Sequence, residues 1–283
     1  MHYVIGRPTL TNARLAAAFR SFGHEASVVA PTEARVQRGD VALARLDVRR
    51  TLDGVEDGLW RLADVERAGA LLLNGPAALL NAHDKLATAV VLGRVGVPHP
   101  RTAHVRRPSL PSSLSPPYVV KPRFGSWGRD VFRCETESEL VSCFAALGRK
   151  RWFRRQGALV QELVSAAGAD MRVVVAGGEV VGAVSRVAPP AEWRTNVALG
   201  AARTPVVPSA EAGATACEAA AAVGLDLAGV DLVPGADGRH LVLEVNGAVE
   251  LTPEYGLEGG DPFRAAVDAL IGVPAGRGLA LAT

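Results

Sequence analysis

Short apolar runs alternate with stretches of helical period through the first eighty residues. The runs are Tyr3 to Ile5, Ala26 to Ala30 and Ala70 to Leu73, and a helical pattern from about Leu10 to Phe22, stopped by Gly23, separates the first two. Such alternation predicts a small α/β layer of parallel strands. A helix pair follows, its longer member running from Asp84 to about Arg94, with Gly96 and Pro98 ending it. The stretch from Arg106 to Pro117, rich in Pro and Ser, reads as a linker or surface loop and marks a subdomain boundary.

Beyond that boundary the pattern turns antiparallel. Met171 to Ala176 and Glu179 to Val184 flank Gly177-Gly178, a dipeptide suited to a two-residue hairpin turn. Leu227 to Val233 and His240 to Val245 form a second pair joined by Pro234-Gly235-Ala236-Asp237-Gly238. A helix of mostly Ala and Val from Ala210 to Val223 lies between the hairpins, and another runs from Pro262 to Ile271. No internal repeat is found. The fold class is therefore α/β with an antiparallel (α+β) second half.

With 283 residues, 48% of them hydrophobic, the chain can bury a large core and has the length of about two domains. A formal net charge of +2 does not demand a nucleic-acid partner. Cys134, Cys143 and Cys217 show neither a CxxC pair nor a histidine at metal spacing, which fits reduced thiols in a cytosol. No leader pattern opens the sequence and no apolar run reaches the ~18 residues of a membrane span, so a cytoplasmic protein with no membrane partner is expected.

Lysine scarcity sharpens the search for chemistry. Three of the 31 basic residues are lysine and 28 are arginine. Arginine replaces lysine on solvated surfaces but not where a compact ammonium must fit among phosphates. Lys121 follows the apolar run Tyr118-Val119-Val120 and opens Lys-Pro-Arg-Phe-Gly-Ser-Trp-Gly, whose Gly125 and Gly128 allow backbone amides to approach phosphate oxygens. Lys85 begins the Asp84 helix. The Gly125-Ser126-Trp127-Gly128 loop fits neither GxxxxGK[ST], GxGxxG nor GxSxG, so it reads as a flap between strands.

The second hairpin adds carboxylates. Glu244 and Asn246 are two apart on one strand and point the same way, while the antiparallel return brings Asp231 opposite them. Three oxygen donors on one face suit magnesium, completed by substrate phosphates. A solvated sheet face is the plainer alternative, but carboxylates inside strands as apolar as Leu241-Val242-Leu243 are costly without a partner.

Between these halves, Leu159-Val160-Gln161-Glu162-Leu163-Val164 is an apolar strand ending in a bend, and Gly168-Ala169-Asp170-Met171-Arg172 opens the next. In this order the residues resemble the ATP-grasp superfamily. Asp170-Met171-Arg172-Val173, Arg186, Arg194-Thr195-Asn196 and Glu244-Val245-Asn246 are most similar to the glutamate-ligase branch that modifies ribosomal protein S6, which also holds the ligase joining α-aminoadipate to an acidic carrier protein. The resemblance covers about residues 80 to 272. It implies a pre-ATP-grasp α/β domain over 1–82 and an ATP-grasp domain over 83–283, split into a flap-side part (83–157) and a metal-binding part (158–283).

What the resemblance implies for the site is specific. Lys85 and Lys121 would lie on the nucleotide phosphates under the flap of Gly125, Ser126, Trp127 and Gly128. The backbone from Gln161 through Glu162 and Leu163 to Val164 would meet the adenine edge, and Asp170 the ribose hydroxyls. Arg186, Arg194, Thr195 and Asn196 would sit by the γ-phosphate and the reacting carboxyl, with Lys121, Arg186 and Arg194 catalytic. Asp231, Glu244 and Asn246 would hold one or two Mg2+ ions, or Mn2+ in their place. The implied reaction is ATP-dependent amide formation from a carboxylate and an amine through an acyl phosphate, in a homo-oligomer (dimer or tetramer). The acceptor is a peptide, a protein, an acidic carrier protein or a small molecule. Gly247 stands where the family commonly has serine, which separates the acceptor side from the relatives' pattern. A natural-product peptide ligase, a nucleotide-binding module without catalysis, or a kinase of the same fold, are the competing readings.

Two segments stand apart. Ala188 to Arg203 reads as a loop over the substrate site or as a plain surface loop. Arg149-Lys150-Arg151-Trp152-Phe153-Arg154-Arg155 reads as a solvated helix face or as a dock for an acidic partner, since nothing else in the chain resembles a nucleic-acid module.

Overall fold

The computed structural model describes residues 1–107, 109–164 and 168–273. The first layer is a four-stranded parallel sheet of β1 (His2–Gly6), β2 (Ala26–Val29), β3 (Val41–Arg45) and β4 (Leu71–Leu73), in the order β2-β1-β3-β4. Helices α1 (Leu10–Ser21) and α2 (Leu59–Arg67) connect its strands. Thr9 caps α1, its hydroxyl accepting from the Asn12 amide. Strand β3, four apolar residues closed by Arg45, is absent from the pattern read in the sequence. Helices α3 (Pro76–His83) and α4 (Lys85–Val95) follow, and Asp84 caps α4.

The second sheet, in order β5-β8-β6-β7, joins β5 (Thr102–Val105), β6 (Tyr118–Pro122), β7 (Phe132–Cys134) and β8 (Ala158–Glu162), all antiparallel. Its own core includes Tyr118, Val120, Phe144, Trp152 and Phe153, the last three from α5 (Glu137–Leu147) and α6 (Arg151–Gln156). The expected subdomain boundary at residue 157 therefore moves: β8 bonds to β5 and β6, and this unit runs to Glu162. The aromatics of the basic run are core residues, which leaves only its arginines and Lys150 on the surface.

The third sheet runs β11-β10-β9-β12-β13, from β9 (Ala169–Ala176), β10 (Glu179–Val187), β11 (Ala202–Pro205), β12 (Leu227–Pro234) and β13 (His240–Asn246). The near-continuous apolar run of β9 is explained by cover on both faces. Val173 and Val175 pack in the cluster containing α7 (Ala210–Val223), while Val174 and Ala176 pack with α8 (Pro262–Ile271). Both clusters extend into the first sheet, through Ile5 on one side and Val4 and Leu43 on the other. Asn74 fastens the two sheets together. It is fully buried in a left-handed conformation, φ 56°, its side chain accepting from the amides of Asp226 and Leu227 and donating to the carbonyls of Leu227 and Gly247.

Candidate active site

Antiparallel register builds the charged floor of the site. Glu244, Asp231 and Arg172 stand directly opposite one another across β13, β12 and β9, and Arg186 on β10 stands opposite Asp170 on β9. Two carboxylates face to face repel unless cations or a metal lie between them. Here the cations are present. Arg172 holds Asp231 at both oxygens, Arg186 reaches Asp231 at 2.8 Å and forks onto Asp170, and Lys85 Nζ lies 2.9 Å from Glu244 Oε1. Burial pushes the Asp231 carboxyl up, but Arg172 and Arg186 outweigh it and hold the group below the usual carboxylate range.

A register shift follows Asp231, so that Leu232 pairs with Val242 and Leu243 is the extra residue. Bulges re-aim side chains beside active sites, and both Leu243 and Glu244 line the same cavity of about 290 Å³. Its other walls are the flap, the end of β8 and the segment 193–196. Every residue expected at the site lines this cavity except Asn246. Asn246 is half-buried at the end of β13, opposite Gly229, and its Nδ2 has no hydrogen-bond partner among the described residues.

The flap is anchored at its base. The Lys85 amide donates to the Arg123 carbonyl at 3.0 Å, Arg123 pairs with Asp84, and Lys85 Nζ also donates to the Gly125 carbonyl. Lys121 is buried with no salt-bridge partner among the described residues. Burial first, and neighbouring Lys85 second, lower its pKa to about 8. At the flap tip, Trp127 adopts φ 62° and lies beneath the Arg129 guanidinium. Gly128 at φ +68° leaves room for Asn196, whose Oδ1 would lie 2.6 Å from an added Cβ. Arg194 Nη1 donates to the Gly128 carbonyl at 3.0 Å while Glu192 holds its other edge. The 188–203 segment thus meets the flap, and its last residues, Ala202 onward, form β11 beside Arg186.

Two expected roles meet occupied groups. Both Asp170 oxygens are engaged, by Arg186 and by the Thr195 hydroxyl, so the carboxylate orders those residues first. At the hinge, the Leu163 amide donates to the Pro117 carbonyl at 3.0 Å and the Glu162 amide to the Arg101 carbonyl at 3.2 Å. The Gln161 side chain is tied back to Thr102. The bend expected at the end of this strand adjoins residues 165–167, which lie outside the described residues.

Sequence reasoning missed Arg172 as a site residue, although its two-residue spacing from Asp170 puts both on one face. It also missed Val119, Val131, Val233 and Leu243, the apolar lining suited to a flat base. Nothing distinguishes those valines from core valines until the sheets are assembled.

The donor set fits a hard divalent cation. Asp231 offers about four lone-pair sites and three are used by arginine N–H groups; Glu244 and the Asn246 amide supply further oxygens. No group of three or more His, Cys, Asp or Glu side chains suited to a metal occurs among the described residues, so substrate oxygens would have to complete the shell. Among the described residues no helix is long and apolar enough to cross a membrane.

Comparison with known proteins agrees with this architecture. Residues 82–256 match the RimK-like ATP-grasp domain. A probable alpha-L-glutamate ligase of Aeromonas salmonicida is 37% identical over 191 residues, which is 65% of this chain and 62% of that protein, so the match spans about three-fifths of that relative's length. One from Thioalkalivibrio sulfidiphilus is 32% identical over 82% of each chain. The solved structure of the ATP-grasp ligase PsnB with minimal precursor, Mg and ADP shares the fold, with a TM-score of 0.66 and 21% identity over 95% of this chain and 97% of that one. By its sequence and its fold, the chain belongs to the RimK-like ATP-grasp family.

Proposed function

We propose that the protein is an ATP-dependent carboxylate–amine ligase that adds glutamate or another amino acid to a peptide, protein or small-molecule acceptor through an acyl phosphate. The observation that carries this reading is the convergence of Lys85, Lys121, Arg186 and Arg194 with the facing carboxylates Asp231 and Glu244 in one flap-covered cavity. The relatives' glutamate-ligase names support the choice of amino acid.

Lys85 and Lys121 bind the nucleotide phosphates, and the apolar walls with the hinge take the base. Asp231, Glu244 and Asn246 would hold magnesium, with manganese a substitute; when bound, it would neutralise phosphate charge and polarise the phosphoryl group. A carboxylate oxygen of the acid attacks the γ-phosphorus and ADP leaves. The amine then attacks the acyl carbon, the C–O bond to phosphate breaks, and the amine proton departs with the released phosphate. Arg186 and Arg194 stabilise the oxyanion between those events, a contribution of ~2.7–4 kcal/mol for one well-placed donor.

An ADP-release screen over carboxylic acids with hydroxylamine as the amine tests the reading. A hydroxamate is the expected product, and its absence with every acid would sink the acyl-phosphate route. A phosphorylated acid that resists hydroxylamine would instead point to a kinase. Light scattering of the purified protein would test the expected dimer or tetramer.

A further inference from the structure

Arg45 ends β3 beneath the turn from β1 to α1 and is only 4% exposed. Its Nε donates to Asn12 Oδ1 at 2.6 Å and its Nη2 to the Val249 carbonyl. Nη1 is buried without a hydrogen-bond partner, and no carboxylate lies within salt-bridge range of the guanidinium among the described residues. Burial lowers its pKa to about 10, which leaves it a cation at neutral pH. A buried charge hydrogen-bonded only to neutral groups costs free energy that the attraction of Asp47, beyond salt-bridge range, offsets only in part. Arg172 and Arg186 each hold a carboxylate; Arg45 does not.

The side chain lines a cavity of about 140 Å³ shared with Arg7, Asn12, Asp47, Arg50 and Arg129. Four arginines face two carboxylates there, and one of these, Glu56, is already paired with Arg7 at 2.7 Å. The first turn of α1 reaches the cavity through Thr9 and Asn12, and the positive end of its dipole adds to the field. Ser126, Trp127 and Arg129 line both this cavity and the larger one, so the flap tip is their common wall.

We propose that the Arg45 cavity receives a non-reacting carboxylate of a substrate, held while chemistry proceeds on the other side of the flap tip. The assignment rests on the ligase reading above and narrows its substrate class to a molecule with a carboxylate beyond the one activated. That group belongs either to an amino-acid amine donor or to an acid substrate bearing a second carboxylate. A carboxyl bound by Arg45 is not the one activated, because the phosphate-side residues Lys121, Arg186 and Arg194 line the other cavity. Its oxygens supply the acceptor that Nη1 lacks and a countercharge in direct contact with the guanidinium.

The test uses R45M, which keeps the volume and removes the charge, and R45K, which keeps the charge and loses the fork. L-glutamate with Mg-ADP should raise the melting temperature of the wild-type protein and not that of R45M, with R45K between them. Without ligand, R45M also loses the bonds to Asn12 and the Val249 carbonyl, so its shift is read against its own ligand-free melting temperature. In turnover, R45M should raise the relevant KM about ten- to hundredfold, the range for losing a hydrogen bond to a charged group. If only amide formation with L-glutamate as the amine suffers and hydroxamate formation is spared, the carboxylate is the amine donor's. If hydroxamate formation suffers as well, it is the acid's. Equal melting shifts in wild type and R45M, no shift in wild type, or a destabilised R45M with unchanged KM values would each overturn the proposal. Failure of the wild-type protein to form any hydroxamate or amide would remove the ligase reading alone; the melting shifts would still decide Arg45. Should R45M not fold, R45K carries the same comparison.

Discussion

Arg172 grips Asp231 with one edge of its guanidinium, Nε to Oδ1 at 2.6 Å and Nη2 to Oδ2 at 2.7 Å, from directly opposite positions on adjacent strands. Replacing Arg172 by alanine leaves Asp231 facing Glu244 with Arg186 as its remaining close cation. R172A is expected to lose about 3–5 kcal/mol of stability, the usual cost of breaking a buried pair. Urea unfolding measures it, and R172K should recover part of the loss but not the fork.

Glu244 is the more accessible of the facing carboxylates and, among the described residues, its one salt bridge is to Lys85. E244Q keeps the shape and removes the charge. It should abolish magnesium-dependent ADP release while its circular dichroism and melting curve stay close to wild type. Retained turnover would remove Glu244 from the proposed metal set.

Lys121 titrates near pH 8 in the free protein because burial and Lys85 disfavour its charged form. Nucleotide phosphates favour that form, so binding takes up a proton as the pH rises through about 8. ATP affinity should therefore fall above pH 8, and calorimetry in buffers of different ionisation enthalpy should detect the uptake. The unfolded chain holds this proton up to the ordinary lysine value of 10.5. Stability of the ligand-free protein consequently gains from Lys121 as pH rises from about 8 towards 10.5. K121R stays charged throughout and should flatten both dependences while binding ATP more weakly.

Gly128 tests the meeting of flap and loop. G128A places a methyl 2.6 Å from Asn196 Oδ1 at a left-handed φ, so the contact that includes Arg194 must shift. A backbone penalty of about 1 kcal/mol is expected, together with a raised KM for ATP in steady-state assays.

Lys150 is a control. Its ammonium is half exposed and pairs with Asp130 on the surface, where such pairs contribute little. K150R should match wild type in ADP release and in melting temperature.

The two hairpins and helices α7 and α8 were legible because a turn dipeptide or a cap bounds each one. The short strands β3 and β5 were not, since Arg45 in one and His104 in the other interrupt runs of only five and four residues. The facing of Asp231 and Glu244 followed from strand alternation, as did the flap around Lys121. Arg172, the bulge at Leu243 and the engaged state of Asp170 depend on which strands become neighbours, and β9 meets β12 across 50 residues of intervening chain. Arg45 was invisible for the same reason: one arginine among 28 acquires meaning only when assembly buries its guanidinium with an unpartnered Nη1 and, among the described residues, no carboxylate in contact.

Asn74 gives the molecule a fixed frame. Because one buried amide rivets the parallel sheet to the carboxylate hairpin, the Arg45 recess and the Asp231–Glu244 floor form a single casting. The flap sheet, with its separate core, is the one part left to act as a jaw. Ser126, Trp127 and Arg129 wall both chambers, so a movement of that jaw would reshape the two together.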